Sequence, residues 1–458
     1  MHIARLTGSL FVTAALIIPA QPVIADSLAD AMVKSLKSSP ELDLNRSNVK
    51  VLSEQAVQAR AQGRTQVQGT VNVTTQFNDL REFVYPTQLQ LDVTQPLFTG
   101  GQVENSTEAA EIRITAEEAR QIATEQTILL NAVTAFSDVR RDMTLVSLGR
   151  NNVRVIKEQL RAARERFDVG EVTRTDVAQA EARLAAARGQ LAAQVGALQN
   201  SREAYKRVVG EYPKELDPLP PLPDLPDDID QAVSISLTDQ PNIRAARLEQ
   251  LAARSDVRTA IGALLPQISI QGQVRNLDTL GIENDSTSDA SLGLQITIPF
   301  YTGGANHSNV REAQALVESR NADIATVLRD TAQQVGVAWS DLRVSRATIN
   351  AGKLEVRAAQ IAFEGVQEEA KVGARTTLDV LDAEQELLDA RGDLVSARRD
   401  EYVASYNLLF SIGKLTADHL GLDLGNGAPQ ESYYAQVKDR NFGYDPTDDT
   451  VWTLSYRP

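Results

Sequence analysis

Two short junctions, QPLFTGG at 95–101 and IPFYTGG at 298–304, hold a proline, an aromatic residue and Thr-Gly-Gly at equivalent places. Pro96 and Pro299 stand 203 positions apart, and that offset persists far beyond them. AFSDVR at 135–140 faces AWSDLR at 338–343, TDVAQAEARLAAAR from Thr175 faces LDVLDAEQELLDAR from Leu378, and Gly210 faces Gly413. Upstream the offset becomes 201, pairing Pro40 with Pro241 and Ala31 with Ala232. The second copy therefore gains two residues between Phe77 and Leu292, in the polar loop DTLGIENDSTSD at 278–289. A register held through strands, junctions, helices and turns is the mark of a tandem repeat, so the chain must fold as two like units.

Proline sets the boundaries of those units. None lies between Leu97 and Tyr212 or between Phe300 and Ala428, while six fall within 213–226. Proline breaks interior helix hydrogen bonds, so the first two spans admit very long helices and the third reads as an extended linker. Helical pattern runs over 102–167 and 305–370. At about 1.5 Å per residue each of these is roughly 100 Å long, several times the width of a small domain. The chain then turns at FDVGEVTRTDV and AKVGARTTLDV, where Val169-Gly170 and Val372-Gly373 form the tips. The glycines suit left-handed caps, and Thr or Asp opens the return. Val177, Leu184, Leu191, Leu198 and Tyr205 recur every seven residues with Ala180 and Ala187 beside them. Val380, Leu387 and Leu394 with Ala383, Ala390 and Ala397 repeat the seam, which predicts two antiparallel coiled hairpins.

Before each junction the period changes from helical to two. Val67, Val71, Val73 and Phe77 alternate with Gln, Thr and Asn, as do Leu89, Leu91 and Val93. Ile268, Ile270 and Val274, then Leu292, Leu294, Ile296 and Ile298, do the same in the second copy. A half-buried soluble sheet gives such alternation too. Three features favour a bilayer: runs of about 10–12 residues, a polar face almost free of charge, and no spare helix to cover the apolar face. Lipid does not tolerate an open sheet edge, so four strands require partners, and three chains would supply twelve. Phe98, Phe300 and Tyr301 fall where an interfacial aromatic belt is expected. At the joints Pro96 and Pro299 are expected to end strand pairing. Gly100, Gly101, Gly303 and Gly304 are expected to bend strand into helix.

Residues 1–25 read as a secretory signal: Arg5, the apolar run LFVTAALII and the small-residue site VIA before Asp26. With a formal charge of -15, nucleic acid is not an expected partner. The absence of cysteine excludes disulfides, a thiol nucleophile and lipid attachment to cysteine. His2, His307 and His419 are scattered, no Ser-His-Asp set or metal-ligand spacing is present, and the TGG motifs lack a phosphate-loop lysine. No enzyme activity, metal or cofactor is expected.

Together the repeated halves, paired amphipathic strands, QPLFTGG and IPFYTGG joints, long hairpins and the VGxxTxxDVLDAE turn resemble the TolC-type outer-membrane factors over about 27–415. The resemblance implies a homotrimer, mainly α with membrane β, in which a twelve-stranded outer-membrane barrel continues into a twelve-helix periplasmic tunnel. Its parts would be 26–64 (equatorial segment and upper helix), 65–98 (first β-hairpin), 99–210 (first helical hairpin), 211–265 (linker, equatorial segment, upper helix), 266–301 (second β-hairpin), 302–413 (inner helical hairpin) and 414–458 (equatorial region and tail). The tail is expected over the equatorial girdle.

The resemblance further implies an exit channel for efflux or type I secretion, seated in outer-membrane lipid. A periplasmic adaptor would meet the tips at Val169, Gly170, Val372 and Gly373, and an inner-membrane transporter of RND, ABC or MFS type would supply the energy. Asp379 and Asp382 match the aspartate ring of the periplasmic gate, although Asp at a helix start is also ordinary capping. Arg375, with Thr175 and Asp176, matches the latch between neighbouring hairpins, departing from the family at Ala370 where a tyrosine is frequent. An adaptor, with a single hairpin, or a trimeric coiled-coil adhesin accounts for the helices but not for the repeated strands.

Overall fold

The computed structural model describes residues 26–77, 83–280, 286–425 and 432–441. The signal-like segment, the middle of the 278–289 loop and the tail beyond 441 lie outside the described residues. Each copy contributes two short helices, strands and a helical hairpin. In the first copy these are α1 (Leu28–Ser38), α2 (Pro40–Ala61), β1 (Gln66–Val73), β2 (Gln76–Phe77), β3 (Phe83–Phe98), α3 (Gln102–Asp168) and α4 (Arg174–Val209). The second has α5 (Ile229–Asp239), α6 (Pro241–Gly262), β4 (Gln267–Leu280), β5 (Thr287–Thr297), α7 (Ala305–Lys371) and α8 (Thr377–Ser411). A short α9 (Tyr433–Val437) follows.

The long helices α3 and α7 have 67 residues each. Neither is covered by one partner. Two shorter helices share the length of each: α2 and α4 lie against α3, and α6 and α8 lie against α7. The breaks come where proline opens α2 and α6 at their first turns. At one break Ser38 Oγ donates to Val209 O (3.1 Å); at the other Gln240 Nε2 donates to Ser411 O (3.2 Å). The core gathers at this level. Phe136, Leu129 and Val139 of α3, Tyr205 of α4, Val335 and Leu342 of α7, and Leu408 and Leu409 of α8 are buried there with Leu28, Met32 and Leu415.

The strands form one antiparallel sheet in the order β1-β3-β4-β5, with β2 also on β3. Register makes one face apolar across the middle of the sheet: Val67 pairs with Val93, Val93 with Gly272, and Gly272 with Leu292. The opposite face carries Gln68, Asp92, Gln273 and Ser291 at that level. Nothing among the described residues covers the apolar face: Leu292 is 80% exposed and Val67 and Val71 are each 64% exposed. The polar face binds itself, with Gln90 Nε2 donating to Asp92 Oδ1 (2.8 Å) and Arg275 Nε to Asp289 Oδ1 (3.0 Å).

At the first joint the proline does not end pairing. Pro96 lies opposite Ser269, and after a bulge the ladder resumes at Phe98 and Ile268. β1 has already ended opposite Thr94, so β3 is an edge on that side and a missing N–H costs no ladder bond. Pro299 does lie beyond the end of β5, at Thr297. Residues 432–441 lie along α2 rather than across the buried core. Tyr433 Oη donates to Glu54 Oε1 (2.8 Å), and Arg64 Nη2 donates to Lys438 O (2.9 Å) near the base of the sheet.

Candidate functional site

The candidate site is the end of the two hairpins remote from the sheet. Gly170 and Gly373 take φ of +80° and +79°, the left-handed conformation that stops a helix and reverses the chain. Beside them Val169 and Val372 are 72% and 81% exposed, so each tip offers an uncovered apolar side chain.

Capping boxes open both return helices. Thr173 caps α4, and its own N–H donates to Asp176 Oδ2 (2.8 Å). Thr376 caps α8, with its N–H and hydroxyl both 2.9 Å from Asp379 Oδ2. The Asp379 carboxylate is thus tied into the first turn. Hydrogen bonds from the Thr376 backbone and hydroxyl hold it below the usual carboxylate range, with Arg375 adding attraction. Removing a threonine cap costs about 1 kcal/mol. Thr376→Ala should therefore fray the first turn of α8, seen as faster amide exchange at 377–379, while α4 keeps its protection. Equal exchange in variant and parent would reject the cap.

Asp382, one turn on, is bonded to Arg183 of α4. Between the two aspartates Leu381, 4% exposed, packs with Ile156, Leu160, Ala180, Leu184 and Ala187 of the first hairpin. The beginning of α8 is therefore docked on the first copy by one apolar side chain and one ion pair. The other expected residues are not brought together within one chain. Arg375 Nε donates to Glu369 Oε2 (2.8 Å), and Thr175 stands exposed on α4. Arg183 and Leu381 have no counterpart in the repeat logic, because Arg183 corresponds to Glu386 and Leu381 to Ala178. Their only signal is that each adjoins a seam residue, Leu184 and Val380.

The model of the outer membrane efflux protein family matches the chain twice, over 31–211 and 232–414. The chain belongs to that family. The two matched segments are the two copies, and their starts and ends differ by the same 201 and 203 positions found in the sequence. Outer membrane efflux protein BepC of Brucella suis biovar 1 (strain 1330) is 35% identical over 428 residues, covering 93% of this chain and 94% of BepC. Outer membrane protein TolC of Vibrio cholerae serotype O1 is 27% identical over 425 residues, covering 89% and 95%. Among solved structures, the open state of the Neisseria gonorrhoeae MtrE outer membrane channel superposes with a TM-score of 0.74 at 21% identity, covering 86% of this chain and 90% of MtrE. The chain is thus an outer-membrane efflux channel protein that extends into the periplasm.

Proposed function

We propose that three copies of this chain close one conduit, with a twelve-stranded barrel above and a twelve-helix tunnel below, gated at the hairpin tips. The observation that carries this reading is the sheet: one apolar face is uncovered from edge to edge, and β1 and β5 have no partner on their outer sides among the described residues. Neither condition is stable in lipid unless the edges pair with another copy.

The helices support the same closure. Above the core α3 lies between α2 and α6, whereas α7 has α6 alone. The free side of α7 exposes Val337, Val344, Leu354 and Ile361, and α2 exposes Leu44 and Val51 seven residues apart. Joining β5 and α7 of one copy to β1, α2 and α4 of the next would cover both. The same joint would carry Arg375, at the α7–α8 turn, towards Thr175 and Asp176 of the neighbouring α4. That makes the latch a contact between copies, formed without a tyrosine at Ala370.

In this arrangement Asp379 and Asp382 recur around the axis and restrict the mouth to cations. The tips at Val169, Gly170, Val372 and Gly373 meet a periplasmic adaptor, and an inner-membrane transporter of RND, ABC or MFS type drives cargo through a passive pore. Efflux and type I secretion would use the same conduit, with cargo chosen by the transporter. The purified protein should insert into a planar bilayer as uniform single channels, and its mass in detergent should be that of three chains. A monomer that yields no channels would sink the conduit.

A further inference from the structure

The repeat exposes one position where the second copy has lost what the first retains. In the first hairpin Glu181 of α4 accepts from Arg164 Nη2 of α3 at 2.5 Å, in an open groove. Adding 203 gives Glu384 of α8 and Gln367 of α7. The acid is kept and its cation is replaced by an amide.

Glu384 is also buried where Glu181 is exposed. It is 8% exposed and lines a half-open cavity of about 280 Å³ between α3, α7 and α8, with Leu148, Asn152, Val155, Phe363 and Leu387 among the walls. Its Oε2 has no hydrogen-bond partner among the described residues, and neither does Oδ1 of Asn152, itself 5% exposed and lining the same cavity. Two buried oxygens, both acceptors when the acid is ionised, line one space with no donor bonded to either. Such a pair is costly unless one of them takes up a proton.

The surrounding charged groups do not neutralise it. Arg391 of α8 lines the cavity but donates to Gln360 Oε1 of α7 (2.5 Å). Glu364 of α7 accepts from the same Gln360, Arg183 of α4 is bonded to Asp382, and Arg154 of α3 to Asn151. Lys157 of α3 lines the groove of the first hairpin instead.

We propose that Glu384 is a positioning residue of the tip. With a proton taken from solvent it docks α8 on α3, and on releasing that proton it loosens this contact while the first hairpin is unaffected. Protonated, the carboxyl can donate to the empty acceptor of Asn152. Ionised, it leaves a buried charge, and a shift of α8 that opens Oε2 to water in the cavity would solvate it. Glu384 stands five residues after Asp379 and two after Asp382. A shift of α8 here therefore moves both aspartates. The docking step does not depend on the conduit reading; only its consequence for the gate does.

Burial pushes the Glu384 carboxyl up to about 7, against 4.5 ordinarily. A raised carboxyl favours the docked state at low pH, and the advantage fades as pH rises from about 4.5 through about 7. Between pH 5.5 and 8.5 the docking equilibrium should fall by about thirtyfold on those two values.

The test is amide hydrogen exchange of the purified full-length protein at pH 5.5 and 8.5, corrected for intrinsic rates, with 177–188 of the first hairpin as internal reference for 380–391. Protection over 380–391 should fall about thirtyfold at the higher pH while the reference holds. Glu384→Gln should abolish the difference, as a permanently neutral amide. Gln367→Arg, which restores the cation of the first copy, should instead raise protection at pH 8.5. No pH difference in the parent, an equal difference in Glu384→Gln, or an unchanged one in Gln367→Arg would each overturn the proposal. Single-channel conductance on the same samples tests the separate conduit reading.

Discussion

Gly100→Ala is expected to destabilise the chain by about 2–5 kcal/mol, and Gly303→Ala, at the same place in the repeat, by only about 1–2. Both glycines have φ of +65°, so an added Cβ meets the same left-handed penalty in each. The surroundings differ. At Gly100 a Cβ would lie 2.3 Å from the carbonyl oxygen of Gly262 and 3.0 Å from Leu265 Cβ, so backbone must move. At Gly303 no described residue other than its chain neighbours lies within 4 Å of the added Cβ. The cause is the packing order, since above the core α3 runs between α2 and α6 whereas α7 has α6 alone within the chain. Denaturant titration followed by far-ultraviolet circular dichroism would measure the difference. Equal losses at the two positions would mean that the Gly100–Gly262 approach is not a fixed contact. If assembly places another copy beside Gly303, the two losses should converge in the assembled protein and separate in the monomer.

Much of this architecture is written in periods and interruptions. The absence of proline over 98–211 and the TGG before it delimit α3 to within a residue, because an uninterrupted helix ends only where glycine and capping chemistry end it. Alternation gave the sheet faces, since a strand's two faces follow from sequence parity. Pro96 departs from the expected end of pairing for an equally physical reason. Whether a proline interrupts a ladder depends on which neighbour is present beside it, and the early end of β1 is a fact of register between strands. The tip shows the same division. Capping boxes follow from Thr and Asp three residues apart, but the Arg183–Asp382 pair, the seat of Leu381 and the burial of Glu384 depend on how two hairpins lie against one another. The repeat still carried a hint of the last: Gln367 stands where the first copy has Arg164.

Asp379→Asn combined with Asp382→Asn should weaken block of the conduit by a divalent cation more than tenfold and leave the fold intact. The asparagine at 379 retains an oxygen that can accept from Thr376, so the capping box survives in form. Losing the Asp382 bond to Arg183 costs little, because both side chains are about half exposed and such pairs contribute about 0–1 kcal/mol. What disappears is charge, two carboxylates per chain and, in the proposed trimer, six around one axis. Each tenfold change in block needs about 1.4 kcal/mol, an amount that several like charges facing one cation readily supply. The Thr376→Ala variant separates the two roles, since it removes the cap and keeps both charges. If the ring is a gate, block should fall in the double variant and persist in Thr376→Ala; if the aspartates serve only as caps, the order reverses. The pH dependence gives a second reading. Asp379 is held below the usual carboxylate range, so its share of the block should persist through mildly acid solution and vanish only as pH falls through that lowered value. A block that is lost near neutral pH would instead point to movement of α8 through Glu384, with the aspartate charges still in place.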